Sequence, residues 1–468
     1  MRSLRGDRTV FAGLLALLVL APLPFALARD WGEALLSLVS FLMLLLWLML
    51  ALADRVSCRP RHIRYVALPL GLLLAVQGWA LIQTLHFPVQ WVAAIDEDLL
   101  RLRPGVLTAS LSLDPYHSLR YAVLGCSLSA LFFLAFATVR TPRRVRWLLR
   151  VLLFSGTLQA GYGVFMVLSG IEYGFLIEKY VGKGVVTGTF VNRNHLAGYL
   201  NICLGAGIGL MLAQLSSDRP ATWRDRLRAW LALLLSHKVR LRLYLAIMVV
   251  ALVMSRSRTG NIAFLTAIVI VGTLALAARR RLDAKRAMFF VSLLFVDLMV
   301  IGQWFGLEAL VERLEQSNPQ VEARWVDYSP LLMAYLQTFP WTGSGAGSFY
   351  SVFGQFHGGA LAMSPAHAHN DYAQFAVEFG LPAFGLLGAW VALTTYQAGQ
   401  LLKSRDAYFA GLGFAGLFML VWLLIHSGTD FNLQIAANAA TVMVLAGAIW
   451  GARGSSARQG GRTASTSS

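Results

Sequence analysis

The residues able to do chemistry fall in a few short runs. Phe190-Val-Asn-Arg-Asn-His195 sets Asn192, Arg193, Asn194 and His195 at the head of an apolar stretch. A helix N-terminus there would favour an anion. Ser255-Arg-Ser-Arg-Thr-Gly260 carries Arg256 and Arg258, and a guanidinium fork fits a phosphate or diphosphate bidentately. Ala366-His-Ala-His-Asn-Asp-Tyr372 carries His367, His369, Asn370 and Asp371. A histidine beside Asn and Asp, titrating near working pH, suits a general base; His367, His369 and Asp371 would also face one way on a strand, as metal ligands do. Arg324-Trp325 adds another arginine, and His426-Ser-Gly-Thr-Asp430-Phe-Asn432 is a short polar element better suited to supporting a site than to reacting. Plainer roles compete with each: helix capping, a hydrogen-bonded histidine, or an arginine reaching out to lipid phosphates.

The elements that must position these runs are apolar. Of the 468 residues 57% are hydrophobic and 13% charged, and the mean hydropathy is +0.61. Soluble chains carry about 25% charged residues, so most of this surface faces lipid. A spanning helix needs about 20 mainly apolar residues. That ruler gives about twelve spans, near 9–28, 32–53, 65–86, 120–139, 147–169, 194–215, 241–255, 260–278, 288–305, 380–402, 408–427 and 433–451. The expected fold is an all-α polytopic membrane protein. The first stretch also resembles a signal peptide, but its apolar run exceeds the usual h-region of about 7–15 residues and reads as a retained helix.

The net charge of +17 suggests nucleic acid only if the basic residues are scattered. They are not. With the N-terminus inside and spans alternating, 29 of the 40 Lys and Arg fall on the inner side and 11 outside. That asymmetry is the positive-inside rule, and it puts both termini in the cytoplasm with no nucleic-acid partner. Cys58, Cys126 and Cys203 have no metal-ligand or disulfide spacing. Residues 1–305 hold spans one to nine, 306–379 form a long outer loop, 380–451 hold the last three spans, and 452–468 read as a disordered basic tail. Within the loop, Val321–Phe339 has helical apolar spacing and ends at Pro340 and a Gly343-Ser-Gly-Ala-Gly347 turn.

On this map the polar runs converge at the outer membrane boundary, where arginine is disfavoured. They fit a lipid-linked diphosphate whose tail stays in the bilayer. Diphosphate is a good leaving group, so displacement at the attached carbon requires one base for the acceptor hydroxyl and cations for the leaving group. No metal or other cofactor is demanded.

His369-Asn370, followed after nine residues by Gly380 and then Gly385, resembles the signature of the O-antigen ligase superfamily. Ser255–Gly260, Arg324-Trp325, Gly343–Gly347 and Phe190–His195 are similar to further points of it, over about residues 185–435. The superfamily holds O-antigen ligases, O-antigen and exopolysaccharide polymerases, and protein O-oligosaccharyltransferases. The resemblance implies a GT-C-like, metal-independent, inverting glycosyltransferase of the bacterial inner membrane. It would take a glycan from undecaprenyl diphosphate at the periplasmic face and pass it to lipid A–core. Carried over residue by residue, His369 is the base and Arg258 and Arg324 hold the diphosphate, with Arg256 and Arg193 beside them. His195, Asn370, Asp371 and Asp430 support the site. A polymerase acting on a second lipid-linked glycan is the alternative. A polysaccharide or lipid transporter ranks lower, because the polar runs gather at one boundary and the only acid read inside a span is Asp297.

Overall fold

The computed structural model describes residues 5–58, 60–101, 105–214, 237–278, 319–357 and 365–464. In chain order its helices are α1 Arg5–Leu20, α2 Asp30–Leu52, α3 Pro60–Ile63, α4 Ala67–Thr84, α5 Val89–Ile95, α6 Asp98–Arg101, α7 Pro115–Thr138 and α8 Pro142–Ser169. They continue as α9 Arg193–Gln214, α10 His237–Met254, α11 Arg258–Ala277, α12 Pro319–Thr338, α13 Phe349–His357, α14 Asp371–Leu402, α15 Ala407–His426 and α16 Ala436–Ala464. Among the described residues the sheet is a single antiparallel pair, β1 His86–Pro88 with β2 Thr108–Ser110, in which Phe87 faces Ala109.

Eight of these helices are long and apolar enough to cross a membrane: α2, α4, α7, α8, α9, α11, α14 and α15. All eight fall on stretches expected to span. The helix α1 is shorter, at 16 residues. The expected ninth span, 288–305, and the start of the long loop, 306–318, lie outside the described residues. The last helix is drawn to Ala464, past the point where the sequence suggested an unordered tail.

The helix starts are written in the sequence. Asp114, Thr141, Ser257, Asn370 and Asp406 each precede a helix and accept a hydrogen bond from its first turn. Such caps satisfy N–H donors that lipid could not. Two of them, Ser257 and Asn370, belong to the reactive runs, so Arg258 and Asp371 become the first residues of α11 and α14.

The centre of the bundle is α9, whose residues His195–Met211 are all buried. It crosses α15 where two glycines meet: a Cβ on Gly209 would lie 2.2 Å from the Gly411 carbonyl oxygen. Small residues at such crossings let apolar helices pack closely in a bilayer. Because α9 and α15 lie together, the His195 end of one meets the His426 end of the other. The side chain of Asn438 ties them, its Nδ2 donating to the His195 carbonyl (3.0 Å) and to Asn432 Oδ1 (2.9 Å).

The expected span at 380–402 starts earlier, at Asp371, and is broken at Gly380, which has φ 78° and ψ 159°. Pro382 follows two residues later and cannot continue the backbone ladder. The freed groups are paired by the glycine turn. Ser344 and Gly345 donate to the carbonyls of Val377 (2.9 Å) and Glu378 (3.0 Å), and Leu381 donates to Pro340 (2.8 Å). A Cβ on Gly380 would sit 2.3 Å from the Trp341 carbonyl oxygen. Backbone broken inside a membrane protein is tolerated only when neighbouring protein re-pairs it in this way.

Candidate functional site

Three of the polar runs meet around the turn between α15 and α16. The chain enters α14 through His369, whose φ of 49° lies in the left-handed region. Such a residue costs about 1–3 kcal/mol and persists only where its neighbours fix it. Here they do. The Ala368 N–H donates to Gln374 Oε1 (3.1 Å), Asn370 Oδ1 accepts from the Ala373 N–H (3.0 Å), and the Asp371 N–H reaches the Ser427 (2.8 Å) and Asp430 (3.2 Å) carbonyls. Asp371 Oδ2 accepts from Ser427 Oγ (3.0 Å) and from the Leu433 N–H (3.3 Å).

The carboxylate of Asp430 is the hub. His369 Nδ1 lies 3.8 Å and His195 Nε2 lies 3.7 Å from the same oxygen, Oδ1. That oxygen also accepts the Phe431 N–H at 2.8 Å. Phe431 then serves as a platform for three histidines. The His367 ring stacks on it at 4.3 Å, and those of His195 and His369 meet it at steep angles, 4.6 and 4.9 Å away. Of the two facing Asp430, His369 is the more open, with 35% of its side chain exposed against 7% for His195.

The arginines border this hub. Arg256 and Arg258 sit in the turn before α11 and at its first residue, both exposed. Arg193 heads α9, and its guanidinium feels the charges of Arg256 and Arg258. Thr429 Oγ1 donates to Thr259 Oγ1 at 3.1 Å, fastening the turn that holds Asp430 to the residue after Arg258. Four other cations expected on the outer side are neutralised, Arg101 by Asp98, Arg120 by Asp30 and Glu33, Lys179 by Glu172, and Lys183 by Glu178, while Arg29 donates to the Tyr180 hydroxyl at 3.3 Å. Among the described residues, Arg193, Arg256 and Arg258 carry no carboxylate partner. Arg324 falls in α12 at a position whose side chain lies outside the described residues.

On the α14 side an apolar cavity of about 710 Å³ is walled by α4, α7, α14, α15 and α16. Its lining includes Asp371, Ser427 and Gln434, so it ends at the polar turn.

Two features escaped the sequence. Phe431 is one of 27 phenylalanines, and nothing in its local pattern marks it. Glu378 is a fully buried acid inside the helix Asp371–Leu402, so Asp297 is not the only acid in such a segment. It was hidden because the apolar run begins just after it, at the Gly380 break. The signal was the i, i+4 spacing of Gln374 and Glu378, which places both on one face.

Residues 243–388 match the family model for O-antigen ligase. That segment falls in the O-antigen ligase superfamily. Among curated proteins none matches the chain. The superfamily segment contains Arg256, Arg258, His367, His369, Asp371 and the Gly343–Gly347 turn, while Arg193, His195 and Asp430 lie outside it and are packed against it. The match over this segment suggests glycosyl transfer of the ligase or polymerase type, with glycan and lipid substrates in a membrane.

The charges at the site carry a pH signature. Burial, helped by the field of His195, pushes the His367 imidazole down to about 4, and its Nδ1 accepts a hydrogen bond from Gln374 Nε2 at 3.1 Å. Burial alone would raise the Asp430 carboxyl, but the polar contacts of His195 and His369 and the fields of His195 and His426 outweigh it and hold the group well below the usual carboxylate range. For His367 the unfolded chain binds a proton below pH 6.5 while the folded chain does not until about 4. Folding stability from this residue is therefore lost as pH falls through that window, by roughly 3 kcal/mol at most. The Asp430 contribution is present above the unfolded carboxyl value, about 3.9, and is lost only below it. Thermal unfolding in detergent should show that wild type loses more stability, or gains less, than His367→Asn as pH falls from 6.5 to 4. Equal slopes in the two proteins would contradict this assignment.

Proposed function

We propose that this protein is an inverting, metal-independent glycosyltransferase of the bacterial inner membrane that moves a glycan from undecaprenyl diphosphate to an acceptor hydroxyl, as an O-antigen ligase acting on lipid A–core. The observation that carries the reading is the pairing of three arginines lacking carboxylate partners with a half-open histidine backed by a buried carboxylate. The proposed topology has twelve spans, both termini cytoplasmic and this site periplasmic.

In the proposed reaction the arginines hold the diphosphate, Arg258 and Arg256 from the α11 turn and Arg193 from α9, with Arg324 as a further ligand from α12. Asp430 faces His369 Nδ1 at 3.8 Å, and its charge favours the tautomer with the proton on that nitrogen, leaving Nε2 to accept one. The acceptor hydroxyl gives its proton to Nε2 as its oxygen bonds to the anomeric carbon. The bond from that carbon to the diphosphate breaks, and its electron pair leaves with the diphosphate, whose growing charge the guanidinium groups stabilise. One displacement inverts the centre. The apolar cavity beside Asp371 suits the hydrocarbon part of a lipid-linked substrate.

A polymerase would use the same donor groups on a second lipid-linked glycan. The glycan profile of cells lacking the protein separates the two. Long glycan retained on the carrier and missing from lipid A–core supports the ligase; accumulation of single repeats overturns it in favour of polymerisation. An unchanged profile removes both.

A further inference from the structure

The Gly343–Gly347 turn and the histidine run are joined by a line of buried hydrogen bonds that the proposed reaction does not use. Glu378, fully buried, takes the Gly347 N–H on Oε2 (3.0 Å) and the Phe349 N–H, at the start of α13, on Oε1 (3.3 Å). Its Oε1 also accepts from Gln374 Nε2 at 3.1 Å. Gln374, 1% exposed, spends its remaining capacity on the histidine run: Nε2 reaches His367 Nδ1 (3.1 Å) and Oε1 takes the Ala368 N–H (3.1 Å). From there two short paths lead to His369. One is covalent, since Ala368 is the residue before it. The other passes through the His367 ring, stacked on Phe431, which the His369 ring also meets, edge to face.

We propose that Gln374 and Glu378 are positioning residues, a buried relay from the glycine turn that sets the direction of the His369 side chain toward Asp430. The proposal rests on the reading of His369 as the base. The chemistry fits the residue types. Glu378 meets only donors, so an acceptor-only carboxylate is required, and an amide there would turn one N–H against another. Gln374 must both donate and accept, which an amide does and a carboxylate does not. The relay also explains how a left-handed, non-glycine residue stays fixed at the mouth of α14: the N–H groups on both sides of His369 are held, one by Gln374 and one by the α15 turn.

The test is steady-state transfer by purified protein in vesicles, with a lipid-linked glycan donor, for wild type, Gln374→Met, Glu378→Gln, the double variant and His369→Ala. Methionine keeps the length and loses both bonds. The relay predicts that Gln374→Met lowers kcat tenfold or more while the donor KM stays within twofold, since the arginines are untouched. Glu378→Gln should do the same, and the double variant should be no worse than the poorer single, because both break one line. A wild-type kcat in Gln374→Met, a rise in KM with kcat unchanged, or multiplied losses in the double would overturn the relay. If Gln374→Met does not reach the membrane, the kcat and KM of Glu378→Gln decide alone. An active His369→Ala protein would instead remove the base reading itself, whereas an inactive one beside a normal Gln374→Met removes only the relay.

Discussion

Replacing His369 by Ala should lower glycan transfer by roughly 10²–10⁴-fold, the range that a positioned acid–base group contributes, with little change in membrane yield or melting temperature. The side chain is about one-third exposed and touches one ring and one carboxylate, so its removal leaves the core intact. What is lost is the proton acceptor. Neither of the other two histidines can replace it. His367 is locked as a hydrogen-bond acceptor for Gln374 and stays neutral down to about pH 4. His195 is buried at the root of α9. Full transfer by His369→Ala, measured as product per minute on purified protein, would contradict the assignment.

Arg258→Lys should reduce transfer by about 10–100-fold, corresponding to one charge-assisted hydrogen bond of roughly 1.5–3 kcal/mol, although the positive charge is retained. A guanidinium offers two parallel donors to a phosphate, whereas an ammonium is a point charge on a flexible stem. Position supports a direct role: Arg258 opens α11, is exposed, and adjoins Thr259, which is tied to the Asp430 turn by Thr429. Arg120→Lys is the matched control. Its guanidinium lies 2.9 Å from Asp30 and 3.3 Å from Glu33, so it is already neutralised and its replacement should leave transfer unchanged. Equal effects at the two positions, or a fully active Arg258→Lys protein, would mean that diphosphate clamping is the wrong account of the arginine cluster.

The sequence held much of this site because its parts announce themselves by type and place. Arginine on the side expected to be translocated opposes the positive-inside bias, and a histidine between small residues at a span boundary has few structural uses. The helix caps Ser257 and Asn370 are read directly from the side chains that precede each apolar run. What it could not show was which outer arginines are already paired. Arg120 and Arg258 look alike in sequence, and only folding brings Asp30, ninety positions away, to one of them. Phe431 escaped for the same reason: its role as a platform exists only once α9 and the run entering α14 present three imidazoles to it. The break at Gly380 misled in a different way. The sequence placed the helix start where hydrophobicity starts, but the backbone is helical from Asp371, held through the break by carbonyls that pair with Ser344 and Gly345.

The most direct test of the central claim is to count the leaving group. Purified protein in vesicles, supplied with an undecaprenyl-diphosphate-linked glycan and a lipid-anchored acceptor, should release one undecaprenyl diphosphate for each glycan transferred. Both quantities should fall together in His369→Ala. Glycan crossing the bilayer with its carrier still attached, or carrier release that His369→Ala leaves unaltered, would show that the arginines and histidines serve something other than this displacement.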